Sequence, residues 1–202
     1  MIISGKELSA RLKAEMAAEV ATFPQKYGRV PHLVVILVGE DPGSVSYVTG
    51  KAKASEVVGI KNTTIRKPDT ISEEELLELI RSLNADDSVD GILVQLPLPK
   101  HLDEKAVLEA IPPEKDVDAF HVVNTGKIML GDYSFLPCTP AGVMKLLEYE
   151  NIDVSGKECV VVGRSNIVGK PQAMLMLHAN ATVTICHSRT KNLSEVLNRA
   201  DV

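Results

Sequence analysis

The stretch Leu33-Val-Val-Ile-Leu-Val38, closed by Gly39, decides the fold class. It is a continuous apolar run without the alternation of a half-exposed strand, so it reads as a strand buried on both faces. Working outward, Glu40-Asp-Pro-Gly43 reads as a turn, and a helix is expected from about Ser44 to Val58, stopping near Gly59. Residues 60–66 alternate and are rich in β-branched side chains, which predicts a second strand. Ser72-Glu-Glu-Glu75 is a capping box for a helix reaching about Asn84, and Gly91-Ile-Leu-Val94 is a short third strand. Upstream, Ser4-Gly-Lys-Glu7 is a second capping box, opening an amphipathic helix to about Phe23. Strands alternating with helices predict a parallel sheet with helices on its faces.

The second half repeats the logic. After Gln95-Leu-Pro-Leu-Pro99 a helix is expected from about Asp103 to Ala110, then irregular chain through Pro112-Pro113 and Asp116-Val-Asp118. Thr139-Pro140 supplies an N-cap and a proline at N1 for a helix bridging two domains. Glu158–Val162 and Thr182–Cys186 read as strands around a loop at 163–169 and a helix from Pro171 to about Ala179. A last helix runs from Leu193 to about Ala200. The expectation is an α/β chain. A three-layer parallel-sheet catalytic domain spans 1–138, and a Rossmann domain, incomplete at two strands, spans 139–202. A two-stranded sheet with an open edge is marginal, so the second domain is expected to be the less stable.

Composition narrows the function. A net charge of −5, 3% aromatics and no Trp give neither the basic footprint nor the stacking platforms of a nucleic-acid binder. No apolar run approaches the ~20 residues that span a bilayer, and no signal peptide is visible, so no membrane partner is expected. The three cysteines, Cys138, Cys159 and Cys186, form no CxxC pair; neither a disulfide framework nor a metal site is expected, and a reducing cytoplasmic setting follows.

Gly163-Arg-Ser-Asn-Ile-Val-Gly169 lies between a predicted strand and a predicted helix, where a Rossmann unit holds a dinucleotide. Its spacing departs from G-x-G-x-x-G, and a strand–helix turn that needs glycines for shape alone would look the same. Cys186-His-Ser-Arg189, at the end of the next strand, lacks the acid that binds a ribose 2′-hydroxyl. With Arg164 nearby, this favours NADP over NAD, although an ordinary polar loop is the plain alternative.

Tyr47 and Lys51 are four apart on one helix, so they share a face at the carboxyl end of the first strand. A phenol and an ammonium there can hold an aromatic substrate and move a proton; equally, Tyr47 packs and Lys51 is solvated. Gln95 ends the third strand at the same sheet edge. Asp118 suits paired N–H groups of a heterocycle, or is a turn former.

Taken together, several segments resemble the bifunctional methylenetetrahydrofolate dehydrogenase/cyclohydrolase family. They are Val38-Gly39 with Ser44-Val-Ser-Tyr47 to Lys51, Gly91-Ile-Leu-Val-Gln-Leu-Pro-Leu-Pro99, Lys115-Asp-Val-Asp118, Pro137-Cys-Thr-Pro140, 161–171 and 182–190. The resemblance implies that Lys51 is the central catalytic residue, that Gln95 hydrogen-bonds to it, that Tyr47 orients the folate and that Asp118 holds the pterin. It implies NADP binding by Gly163, Arg164, Ser165 and Ser188, the last three near the 2′-phosphate. It also implies tetrahydrofolate substrates, a homodimer, and one-carbon chemistry that feeds purine biosynthesis. Ala119 stands where the family usually has Gly, and the family continues beyond Val202 with the rest of the Rossmann sheet. Three rivals stay open: another Rossmann oxidoreductase, a non-catalytic folate-binding or dimerisation fragment, and a receiver-like domain using the acids after the first strand.

Overall fold

The structure is a computed structural model that describes residues 3–202. It divides into two compact units, Lys6–Val117 and Asp118–Val202, the latter joined by residues 3–5.

In the first unit a parallel sheet has the order β2-β1-β3, with β1 at His32–Val38, β2 at Lys61–Lys67 and β3 at Gly91–Val94. β1 is central, and its alternate side chains fill two separate cores. Val34, Ile36 and Val38 pack with Leu76, Ile80, Val107 and Ile111 on one face. Val35 and Leu37 pack with Val48 and Leu93 on the other. This is why the run at 33–38 shows no polar alternation: both faces are dry, and each fully buried aliphatic stabilises by roughly 1.5–3 kcal/mol.

The helices are α1 (Gly5–Val20), α2 (Phe23–Tyr27), α3 (Pro42–Val58), α4 (Glu73–Asn84) and α5 (Glu104–Glu109). The capping box of α4 forms in both directions: the Ser72 hydroxyl accepts from the Glu75 N–H, and the Glu75 carboxylate accepts from the Ser72 N–H. The first helix stops at Val20, short of Phe23, and a one-turn helix with Pro24 in its first turn follows. The expected turn at 40–43 is instead the start of α3. Asp41 is its N-cap, accepting the Ser44 N–H at 2.8 Å, and Pro42 takes the first helical position, where its missing N–H is harmless. That Ser44 N–H also holds the Asp41 carboxyl below its usual range.

The second unit contains α6 (Val122–Leu130), α7 (Cys138–Tyr149), β4 (Glu158–Val162), α8 (Gly169–His178), β5 (Thr182–Cys186) and α9 (Leu193–Leu197). β4 and β5 pair in parallel over their full length. On the other side of β4, the Asp201 N–H donates to Glu158 O at 2.8 Å and the Val160 N–H to Val202 O at 2.9 Å. Residues 201–202 thus lie along the free side of β4, while the sheet itself has two strands, β4 and β5. Three expectations shift here. α6 lies in the stretch expected to be irregular. α7 has Pro137 at its N-cap position without a side-chain cap, and Thr139 and Pro140 are already inside the helix. α8 starts at Gly169 rather than Pro171.

Candidate functional site

In the first unit the chain leaves β1 through α3 to β2 on one side, then returns through α4 to β3 on the other. The carboxyl ends of β1 and β3 are thus the switch point, where connections diverge and a crevice opens. Both halves of the expected site arise there. α3 carries Tyr47 and Lys51 one turn apart, with Val48 buried between them to fix the helix on the sheet. Gln95 follows β3, and its backbone N–H donates to Ile36 O at 2.9 Å, extending the ladder.

Lys51 Nζ donates to Gln95 Oε1 at 3.0 Å. Gln95 Nε2 donates to Leu96 O at 2.7 Å, so the amide oxygen is the end turned to the lysine. The Leu96–Pro97 peptide bond is cis. Among the described residues no carboxylate pairs with Lys51. Its half-buried ammonium is therefore oriented by a neutral acceptor and not locked into an ion pair, and two N–H donors are left for a ligand. Ser46, Tyr47, Gly50, Lys51 and Ala54 line a hollow of about 350 Å³, and the Tyr47 ring is 70% exposed at its edge.

Asp118 is half-buried and opens the second unit's main segment. The residues before it explain the Lys-Asp-Val-Asp pattern. Lys115 Nζ donates to the carbonyls of Leu83, Asn84 and Asp86, neutralising the carboxyl end of α4. Its backbone carbonyl accepts from Ile92 N–H at 2.8 Å. Val117 packs so closely on Gly91 that a Cβ there would lie 2.5 Å from Val117 Cγ1. None of this anchoring was read from the sequence. A lysine after a Pro-Pro turn carries no local signal that it caps a helix some thirty residues earlier.

In the second unit the cofactor-type loop is built by backbone. Gly163 has φ +150° with open space where a side chain would begin. A Cβ at Gly169 would collide with the Gly163 carbonyl, so the loop closes on itself only with glycine there. Ser165 Oγ accepts from the N–H groups of Val168 and Gly169, both at 3.2 Å. The serine that replaces the middle glycine of the usual fingerprint thus caps the start of α8, and its hydroxyl hydrogen remains to be donated outward. Gly163 N–H donates to Cys186 O at 2.8 Å, which brings the loop after β5 alongside. There His187 N–H donates to Thr190 Oγ1 and Arg189 N–H to His187 Nδ1, a tight turn that leaves Ser188 and Arg189 exposed. Two arginines, Arg164 and Arg189, and no carboxylate occupy these two loops at 163–169 and 187–190. The charge suits a phosphorylated ribose. The Gly163–Cys186 bond thus joins the starts of the two loops, as the Lys51–Gln95 bond joins α3 to the end of β3. Among the described residues no group of His, Cys, Asp and Glu is placed to hold a metal, and no helix is long and apolar enough to cross a membrane.

Two family models match the chain: the catalytic domain of tetrahydrofolate dehydrogenase/cyclohydrolase over residues 3–118, and the NAD(P)-binding domain of the same enzymes over residues 137–202. The bifunctional protein FolD of Acetivibrio thermocellus is 57% identical over 201 residues, covering 100% of this chain and 70% of the relative. A crystal structure of the bifunctional FolD methylenetetrahydrofolate dehydrogenase/cyclohydrolase from Campylobacter jejuni superposes with a TM-score of 0.96 at 50% identity, over 100% of this chain and 71% of that one. The Trypanosoma brucei methylenetetrahydrofolate dehydrogenase-cyclohydrolase, solved with NADP cofactor and an inhibitor, gives 0.95 at 35% identity, over 100% and 69%. This chain belongs to the tetrahydrofolate dehydrogenase/cyclohydrolase family.

Proposed function

We propose that the chain oxidises 5,10-methylenetetrahydrofolate to the 5,10-methenyl form with NADP⁺ and hydrolyses that product to 10-formyltetrahydrofolate. The observation that carries this reading is the Lys51–Gln95 hydrogen bond at the carboxyl ends of β1 and β3. It supplies an oriented amine, free of an ion pair, at the edge where an open parallel sheet takes its ligand. The relatives' activities point the same way.

Tyr47 offers its exposed ring as a stacking face for the folate, one turn from Lys51. Asp118 accepts the paired N–H groups of the pterin. Gly163, Arg164, Ser165 and Ser188 would hold the nicotinamide cofactor, which would supply the hydride acceptor for the one-carbon unit. Gly163 admits its phosphates close to backbone, and Arg164, Ser165 and Ser188 hold the 2′-phosphate; the open space at Gly163 and the absence of a carboxylate in the loops at 163–169 and 187–190 fit that group. In the hydrolytic step water adds to the cationic methenyl carbon and loses a proton. One C–N bond then breaks, and the departing ring nitrogen is protonated. Lys51, in its neutral amine form, accepts the water's proton and returns it to the departing nitrogen, the carbinol hydroxyl loses its proton to solvent as the formyl carbonyl forms, and Gln95 keeps Nζ aimed at the carbon. Functionally the chain divides into a folate-binding domain at 1–138 and an NADP-binding domain at 139–202. It works in the cytoplasm as a homodimer, its product serving as a one-carbon donor for purine biosynthesis.

The test follows NADP⁺-dependent oxidation of 5,10-methylenetetrahydrofolate by absorbance and assays methenyl hydrolysis separately. Both activities are expected, and Lys51→Ala is expected to slow hydrolysis ~10²–10⁴-fold. Folate binding with neither activity would favour the non-catalytic fragment. Unchanged hydrolysis in Lys51→Ala would remove the lysine from the mechanism.

A further inference from the structure

Asp118 is delivered by three anchored residues: Lys115 on the end of α4, Asp116 at 3% exposure, and Val117 against Gly91. The next residue, Ala119, has φ 56° and is 2% exposed. Among the described residues the other non-glycines with positive φ are Asn151, Asn180 and Asn192. Asparagine visits the left-handed region because its side chain bonds locally; alanine has no such compensation and pays the full Cβ–carbonyl conflict. Two residues on, His121 Nδ1 accepts the Val123 N–H at 3.1 Å and starts α6. The strained residue therefore sits at the turn between an anchored strand-like segment and a capped helix, directly after Asp118.

We infer that Ala119 is a positioning residue for the Asp118 carboxylate, and that the φ preference at position 119 sets the chain's affinity for the folate. The left-handed backbone fixes the direction in which the chain leaves Asp118. The methyl of Ala119 disfavours that backbone relative to the extended alternative, so only part of the chains hold the competent turn before the ligand arrives. The inference rests on Asp118 as the pterin-holding group.

The test is calorimetric titration of the full chain with tetrahydrofolate, comparing Ala119→Gly, Ala119→Asn and Ala119→Val with the unsubstituted protein. Glycine and asparagine, which tolerate positive φ, should tighten binding about 3–10-fold, and valine should weaken it, with affinity for NADP⁺ unmoved throughout. A purely structural residue would shift melting midpoints in the same order and leave folate affinity alone. That result for Ala119→Gly and Ala119→Asn overturns the inference even if Ala119→Val fails to fold. Asp118→Asn separates the two levels. If it weakens folate binding while the Ala119 series does not, only the inference falls. If Asp118→Asn binds as tightly as the unsubstituted chain, or none of the proteins binds, both fall.

Discussion

β1 and β4 each open a parallel β-α-β unit, yet they are packed differently. In β1, Val34, Val35, Ile36 and Leu37 are at 0–1% exposure. In β4 only Cys159 is buried, and Val162 is 59% exposed, as Ile185 on β5 is 39% exposed. The two sites differ in the same sense. The Lys51–Gln95 pair is a side-chain contact, and it depends on two elements held rigidly by the cores on either side of β1. The cofactor-type loop is shaped by backbone, through Gly163, Gly169 and the Ser165 cap, and asks less of the sheet beneath it. A catalytic geometry needs a stiff platform, whereas a phosphate loop carries its geometry in its own residues.

The comparison can be broken at the core first. Ile36→Ala should destabilise the first unit by about 2–5 kcal/mol, read from denaturant unfolding, and amides of β1 should exchange more slowly than those of β4 in the unsubstituted protein. Equal protection of the two strands would contradict the contrast. Next, Gly163→Val places a β-branched residue at φ +150°, a strain of about 1–3 kcal/mol. NADP⁺ binding should fall at least tenfold while methenyl hydrolysis at Lys51 persists.

A smaller effect is expected at the opposite end of the first sheet. Asp90 accepts from both terminal nitrogens of Arg29, at 2.6 and 2.7 Å, and from the His32 N–H at 2.8 Å. The Arg29 guanidinium, helped by that N–H, holds the Asp90 carboxyl below its usual range. Its stabilisation is therefore present above the unfolded-state carboxylate pKa and is lost as pH falls through the lower folded-state value. Asp90→Asn should cost about 1 kcal/mol at neutral pH, allowing for solvent screening of a pair 44% and 42% exposed, and less below about pH 4. The smallest effect is expected at Val162→Ser, within about 0.5 kcal/mol in thermal unfolding, because that side chain is mostly in water.

The strands were legible because short runs rich in β-branched residues between turn signals have few other uses; all five lie within a residue or so of their expected places. Helix starts were less so where a residue had two meanings. Asp41-Pro42 is both a turn and an N-cap followed by N1, and the neighbouring Gly43 favoured the wrong reading. α6 was missed because its cap is a histidine ring nitrogen and its stripe of buried residues is only Asn124 and Ile128. Of the site, Lys51 and Tyr47 were visible as an i, i+4 pair. The partnership with Gln95 needed the sheet order, which places β3 beside β1 and is written in no local pattern. The strain at Ala119 likewise belongs to the backbone and not to the residue type.

The central claim is that Lys51 and Gln95 act as one unit, and a double-mutant cycle on methenyl hydrolysis tests it most directly. Lys51→Ala, Gln95→Ala and the double variant should be strongly non-additive, the double variant being no slower than Lys51→Ala alone. Additive losses, or a Gln95→Ala enzyme as fast as the unsubstituted one, would contradict the account.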